Sequence, residues 1–180
     1  VAAGTSAGAA ASLSLVAAPQ PTPTIPLVSS MYRGTVKAHG QPEVRVVGLL
    51  VSGPPLQNLL PSALAVAGRT DLTLLAGFVR QLRARGNSGS RALTALAIEP
   101  ADDSMGAALS EMAGSFQDSN RAATINVPEQ SLTLHLAPTA APAIAPLAAE
   151  FLGPRRAPLL GLIIFNAKQA ASASSAKTGL

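Results

Sequence analysis

Alternating side chains in the segment Ser131 to Ala137 constrain the fold of this chain more than any other feature. Leucines occupy every second position from 132 to 136, and Thr133 and His135 lie between them. An extended chain points successive side chains to opposite faces, so the pattern predicts a β-strand with one face in a hydrophobic core. Sheet structure is therefore the basis of the fold.

Five further segments have the composition of strands, because they are rich in aliphatic or β-branched residues and end near Gly, Pro or Asn. They are Met31–Lys37, Glu43–Val51, Arg91–Ile98, Ala123–Val127 and Leu159–Phe165. Strands at such short spacing favour a mainly β sandwich or barrel.

Two connections have helical patterns. Apolar residues at positions 72, 75, 79 and 82 recur at helical spacing, with Thr70 as the predicted N-cap and Gly86 at the end. Ser104 is predicted to begin a second, short helix that ends near Gly114. The pattern leaves open whether residues 71–85 form this helix or a long strand, which would present their arginines differently.

Composition divides the chain into three parts. Residues 1–26 are predicted to be a flexible Ala/Pro-rich N-terminal arm and residues 170–180 a flexible C-terminal tail, because such segments can bury little apolar surface. Residues 27–169 then form one β-sandwich domain of ordinary size. The apolar run Leu159–Phe165 is far shorter than the roughly 20 residues of a membrane helix, so no membrane association is expected.

The low fraction of charged residues favours a protein that assembles with other subunits. Charged residues make up 12% of the chain and aromatic residues 3%, with a net charge of +4. Ordinary globular chains carry roughly 25% charged residues, so much of this surface is expected to be neutral or apolar. Contiguous surface of that kind usually marks an interface. The alternative is that a GC-rich genome raises the content of Ala, Gly, Pro and Arg without any functional meaning.

Catalytic and metal-binding patterns are weak. The chain has no cysteine, and His39 and His135 do not follow a metal-ligand spacing. Adjacent Asp102 and Asp103 favour the start of the Ser104 helix, and a calcium site shared with a neighbouring subunit is the alternative. We therefore predict no enzyme activity, no cofactor and no metal, and a hydrolase built from Asp102, Asp103 and His135 is the enzyme hypothesis left open.

Four arginines form the main basic constellation: Arg80, Arg83, Arg85 and Arg91. On a helix, residues 80 and 83 share a face, and the loop that follows brings the other two nearby. Such a patch predicts non-specific contacts to nucleic-acid phosphates. The alternative is a solvated helix end whose arginines complement the helix dipole.

Two segments resemble viral coat proteins. Thr94–Ser115 is similar to a recurrent piece of plant-virus-type coats, in which a strand ends in a Pro/Ala/Asp turn before a short helix. Ile125–Ala141 resembles a later segment of tymovirus-like coats, and more loosely of bromovirus-like coats. The resemblance implies an antiparallel jelly-roll sandwich with one or two short helices in the connections. Unlike the bromovirus pattern, this chain lacks a strongly basic N-terminal arm.

The function implied by this resemblance is that of a structural capsid subunit. Many copies would self-assemble into an icosahedral shell in the virion and enclose genomic RNA through phosphate contacts. The alternative hypothesis is a phage cement or decoration protein, or an extracellular β-sandwich binding module.

Overall fold

The structure, a computed structural model, describes residues 30–56, 58–86 and 89–168. The arm predicted at residues 1–26 and the tail predicted at residues 170–180 lie outside these ranges. None of the described helices is long and apolar enough to cross a membrane.

Eight strands and three α-helices are present in the described residues. In chain order they are β1 (Ser30–Lys37), β2 (Val44–Ser52), β3 (Ala63–Ala65), β4 (Gly68–Asp71), α1 (Leu72–Arg85), β5 (Arg91–Pro100), α2 (Gly106–Asp118), β6 (Arg121–Val127), β7 (Leu132–Pro138), α3 (Ala145–Leu152) and β8 (Leu159–Asn166). All six strands predicted from the sequence are present. The strands β3 and β4 and the helix α3 were not predicted.

All eight strands belong to one sheet in the order β3-β1-β2-β5-β8-β7-β6-β4. Strands β1 and β3 pair in parallel, and the other pairs are antiparallel. The segment 63–71 contains both end strands of this order, so it pairs with β1 through β3 and with β6 through β4. Between them, the Val66 amide donates to the Lys37 carbonyl at 3.0 Å and the Ala67 amide donates to the Thr124 carbonyl at 2.9 Å. The sheet is therefore strongly curled, and one segment joins its two edges.

This topology corrects the predicted fold in part. The chain is mainly β, as predicted, but its strands form a single curled mixed sheet and not the two facing antiparallel sheets of a jelly roll. Periodicity identifies a strand and its apolar face, whereas it carries no information about which strands pair. In the described chain, helices and not a second sheet supply the covering layers.

Each face of the sheet has its own core. On the inner face, Leu109, Met112 and Phe116 of α2 pack in one cluster with strand residues such as Leu134 and Ile163. On the outer face, α1 and α3 pack on small strand residues, namely Ala95, Ala97, Ala122 and Ala137. Small side chains allow helices to approach the sheet closely. Burial on both faces explains why β8 is apolar along nearly its whole length.

Residues 72–85 form a helix and not a strand, and both helices begin at other residues than predicted. Asp71, not Thr70, is the N-cap of α1, since its Oδ1 accepts from the amides of Thr73 (2.9 Å) and Leu74 (3.2 Å). Helix α2 begins at Gly106, after a 3-10 turn at Asp103–Met105, and continues past the predicted stop at Gly114.

Candidate functional site

A groove of about 520 Å³ lies on the outer side of the sheet, where the last turn of α1 meets α3. Its apolar lining includes Leu82, Leu93 and Phe151, and residues 52–54 also line it. Two of the predicted arginines, Arg83 and Arg91, also line it. We call this feature the helix groove.

Both arginines in the helix groove lie against aromatic rings. The Arg83 Cζ is 4.8 Å from the centroid of the Phe151 ring, and the Arg83 guanidinium also pairs with Glu150. The Arg91 Cζ lies 5.9 Å from the centroid of the Phe78 ring. Stacking on a ring limits the motion of a long side chain and leaves its N–H groups directed outward.

The other two predicted arginines lie outside the groove lining. Arg80 is exposed on α1, and Arg85 is exposed at the end of the same helix. The structure therefore brings Arg83 and Arg91 to one site and leaves Arg80 and Arg85 beside it. Their proposed contact with nucleic acid stays a prediction.

A second basic surface lies on the outer face of β1 and β2. Arg33, Thr35 and Lys37 alternate with buried or half-buried residues along β1, so they share one face. Arg45 of β2 is directly opposite Thr35. Directly opposed side chains are about 5 Å apart at Cβ, so Arg33, Lys37 and Arg45 are neighbours of Thr35 on this face. We call these four residues the strand face.

Small neighbours leave the strand face open. Ala63 and Ala65 of β3, which pair with Thr35 and Lys37, are both exposed. Arg33, Lys37 and Arg45 are exposed as well. An incoming group can therefore reach Thr35 without displacing a side chain of β3.

Carboxylates near the strand face offset part of its charge. Asp102 Oδ2 is 2.9 Å from the Arg45 guanidinium, and Glu43 is exposed just before β2. A hydrogen bond from Ser104, with the nearby Arg45 as a smaller cause, lowers the pKa of Asp102 below its usual value, so this carboxylate is charged at neutral pH. Within the described part of the chain, no carboxylate pairs with Arg33 or Lys37. These two cations are available to a ligand.

His135 is buried and takes part in a short polar chain. Its Nδ1 lies 3.2 Å from the Thr124 hydroxyl, which lies 2.8 Å from the Thr70 hydroxyl. Burial lowers the pKa of His135, so the ring is neutral at pH 7. The ring is buried because the outer face of the sheet is covered by helices.

The structure separates the members of the hydrolase hypothesis. His135 aligns across the sheet with Leu162 and Ala95, while Asp102 lies seven residues beyond Ala95 along the chain. At about 3.3 Å per strand residue, seven residues span about 23 Å, so the histidine and the carboxylates do not share a site. Asp102 instead accepts from the Ser104 amide at 3.1 Å, which supports the predicted role of this pair at a helical start. No cluster of three or more potential metal ligands occurs in the described ranges.

A family model for the SPOC domain matches residues 24–166. This chain belongs to the SPOC-domain family. Among solved structures, the SPOC domain of human PHD-finger protein 3 (PHF3) is similar, with a TM-score of 0.62 and 20% sequence identity. The match covers 77% of this chain and 97% of that domain. No curated protein sequence matches the chain significantly.

Membership of the SPOC family overturns the coat-protein hypothesis. The resemblance to tymovirus-like and bromovirus-like coats, the capsid function, the location in a virion and the assembly of many copies around genomic RNA were wrong. The two segments that carried the resemblance are a strand with its following turn and helix, and a β-hairpin. Such elements recur in unrelated folds, and a chain rich in Ala and Pro matches them easily.

Sequence reasoning missed the strand face. The alternation of Arg33, Thr35 and Lys37 with Tyr32, Gly34 and Val36 was available as a signal. Their position opposite Arg45 was not, since it depends on the register of β1 and β2.

Proposed function

We propose that this SPOC domain is a non-catalytic protein-interaction domain that binds an acidic, phosphorylated segment of a partner protein through its strand face. SPOC domains are generally protein-interaction domains and occur in nuclear regulators of transcription and chromatin. The observation that carries the proposal is the arrangement of Arg33, Lys37 and Arg45 around Thr35 on an open strand surface.

Phosphate suits this surface better than a single carboxylate. A phosphoserine carries a charge of about −1.5 to −2 and three acceptor oxygens, which can engage several cations at once. It also competes more strongly than a carboxylate for Arg45, whose existing partner Asp102 is partly exposed. The Thr35 hydroxyl can donate one hydrogen bond to the same group.

The proposal predicts a specific loss of binding in Arg33→Gln/Lys37→Gln. Each lost charged hydrogen bond is worth about 1.5–3 kcal/mol at most, so we expect the double variant to bind at least about tenfold more weakly. Fluorescence anisotropy with a labelled acidic peptide that contains two phosphoserines measures this change. The same peptide without phosphate should bind at least about tenfold more weakly to the unaltered chain.

Arg121→Gln is the matched control, because Arg121 is exposed and lies at the start of β6, outside the strand face. It removes one positive charge without changing the proposed contacts. An equal loss of peptide affinity in Arg121→Gln and in Arg33→Gln alone would show that net charge, not the strand face, holds the peptide. Equal affinity for the phosphorylated and unphosphorylated peptides would also contradict the proposal.

A further inference from the structure

The helix groove is separate from the strand face. Strand β2 connects the two, with Arg45 near one end and Ser52 at the other. Seven residues at about 3.3 Å each place them about 23 Å apart, so one phosphate cannot contact both. The helix groove therefore requires an explanation of its own.

The chemistry of the helix groove combines an apolar lining with basic walls. Leu82, Leu93 and Phe151 offer an apolar contact surface, and a volume of about 520 Å³ suits a few side chains. Such a volume falls within the range of about 300–1,000 Å³ that is typical of ligand pockets. Arg83 and Arg91 stand at the same groove, with Arg80 and Arg85 exposed nearby.

Charge is not balanced around the helix groove. Arg83 and Arg91 line it, and Glu150 is the carboxylate that pairs with Arg83. The C-terminal end of α1 contributes only about half a negative charge. The site is thus complementary to an acidic occupant.

We infer that the helix groove binds a short acidic segment of a partner protein that carries a leucine-sized apolar side chain. The apolar side chain packs between Leu82, Leu93 and Phe151. Flanking carboxylates accept hydrogen bonds from Arg83 and Arg91, whose stacking on phenylalanine rings fixes them in place. The domain thereby has a second binding site, which selects an apolar side chain between carboxylates and not a phosphate.

A nucleic-acid occupant is less well matched. Bases bind single-stranded nucleic-acid sites by stacking on free aromatic faces. Here the rings of Phe78 and Phe151 each already have a guanidinium over one face. We therefore assign the groove to a protein segment and use RNA as a competing probe.

The test is fluorescence anisotropy with the full chain and a labelled peptide that has a central leucine flanked by two glutamates on each side. Arg83→Gln/Arg91→Gln should weaken its binding by about tenfold or more. Replacing the peptide's leucine with serine should weaken binding by about fivefold or more, since a buried leucine side chain contributes about 1.5–3 kcal/mol.

Arg33→Gln, on the strand face, is the matched control and should leave binding of the leucine peptide unchanged. Thermal unfolding, followed by circular dichroism, checks that each variant folds. If the double variant does not fold, Arg91→Gln alone is used in its place. Arg91 is exposed at the start of β5, so this substitution should be tolerated.

Three outcomes overturn the inference. The leucine peptide does not bind, the serine peptide binds as tightly as the leucine peptide, or Arg33→Gln weakens binding of the leucine peptide as much as Arg83→Gln/Arg91→Gln does. A single-stranded RNA that binds more tightly than the peptide and is lost in Arg83→Gln/Arg91→Gln would also overturn it. If the leucine peptide does not bind but the phosphopeptide does, the strand-face proposal is still supported. The two proposals therefore fail separately.

Discussion

Strand β1 and the chain before β3 approach each other closely at Gly34. A Cβ at this position would overlap the carbonyl oxygen of Ser62 and the hydroxyl of Tyr32. The Ser62 carbonyl accepts hydrogen bonds from the Thr35 amide at 2.9 Å and from the Tyr32 hydroxyl at 3.0 Å. A side chain at residue 34 would therefore break the contacts that hold residues 62–65 against β1.

Tyr32 provides a direct reporter of this contact. Burial raises its pKa to about 12 from an ordinary value of 10.0. The folded state holds the phenol proton more tightly than the unfolded state, so this stabilisation is complete below pH 10 and is lost as pH rises toward 12. Because Tyr32 is the only tyrosine, phenolate absorbance in the ultraviolet follows this one group.

We expect the absorbance titration of the folded chain to have its midpoint near 12, and that of the urea-unfolded chain near 10. Tyr32→Phe should lower the free energy of unfolding at pH 7 by about 1 kcal/mol, through loss of one hydrogen bond. It should also reduce the loss of stability above pH 10. A folded-state midpoint near 10 would contradict the burial of this ring.

His135 shows what residue-level reasoning can and cannot predict. The alternation of β7 correctly placed it on the face opposite Leu134 and Leu136. It did not predict that this second face is also covered, since the covering helices come from distant parts of the sequence. Whether a polar residue meets solvent depends on tertiary packing, which strand periodicity does not encode.

At the scale of elements, long periodic segments were predictable and short ones were not. The six predicted strands have seven or more residues in the structure. Strands β3 and β4 have three and four residues, too few for a period to be recognised. Helix α3 is eight residues long, with Pro in its first turn and small residues around it, and too short for a helical period to be recognised. These missed elements complete the curled sheet and one wall of the helix groove.

Helix α1 depends on the cap at Asp71. Its carboxylate accepts two amide hydrogen bonds from the first turn, and Asn120 Nδ2 donates to it at 3.4 Å. Asp71→Ala should lower the free energy of unfolding by about 1 kcal/mol, measured by urea denaturation. Thr73→Ala, at an exposed position in the same turn, is the control and should change it by less than about 0.5 kcal/mol.

A larger decrease in the free energy of unfolding in Thr70→Ala than in Asp71→Ala would contradict the assignment of Asp71 as the cap. Thr70 bonds to Thr124 instead of to an amide of α1, so its effect belongs to the pairing of β4 with β6. The two substitutions thus report on different elements, although the residues are adjacent.

For the whole molecule, low charge did not mean an apolar surface. Large apolar side chains are nearly all inside the two cores, and Leu74 is the large hydrophobic residue that is strongly exposed, at 72%, among the described residues. The remaining uncharged surface is built from small residues such as Ala, Ser and Thr, which bury little area at an interface. Composition counts residue types and does not locate them, which is why it pointed wrongly to assembly.

We expect the chain to sediment as a monomer of 18.0 kDa at micromolar concentration. Obligate interfaces bury large apolar areas, and the described surface offers no comparable patch. Analytical ultracentrifugation measures the mass, and Leu74→Ser should leave it unchanged. A stable oligomer that dissociates in Leu74→Ser would show that the exposed side of α1 is an interface.

The segment 63–71, which joins the two edges of the sheet, also affects how copies of the domain meet in a crowded solution. An open sheet edge offers unpaired amides and carbonyls to any other extended chain, and this is a common route to aggregation. Here β1 and β6 already have partners in the same molecule, so only short stretches of edge are left in the described part of the chain. A domain with few charges to keep its copies apart is protected in this way by its backbone pairing. Substitutions that unpair residues 63–71 should therefore reduce the solubility of the domain.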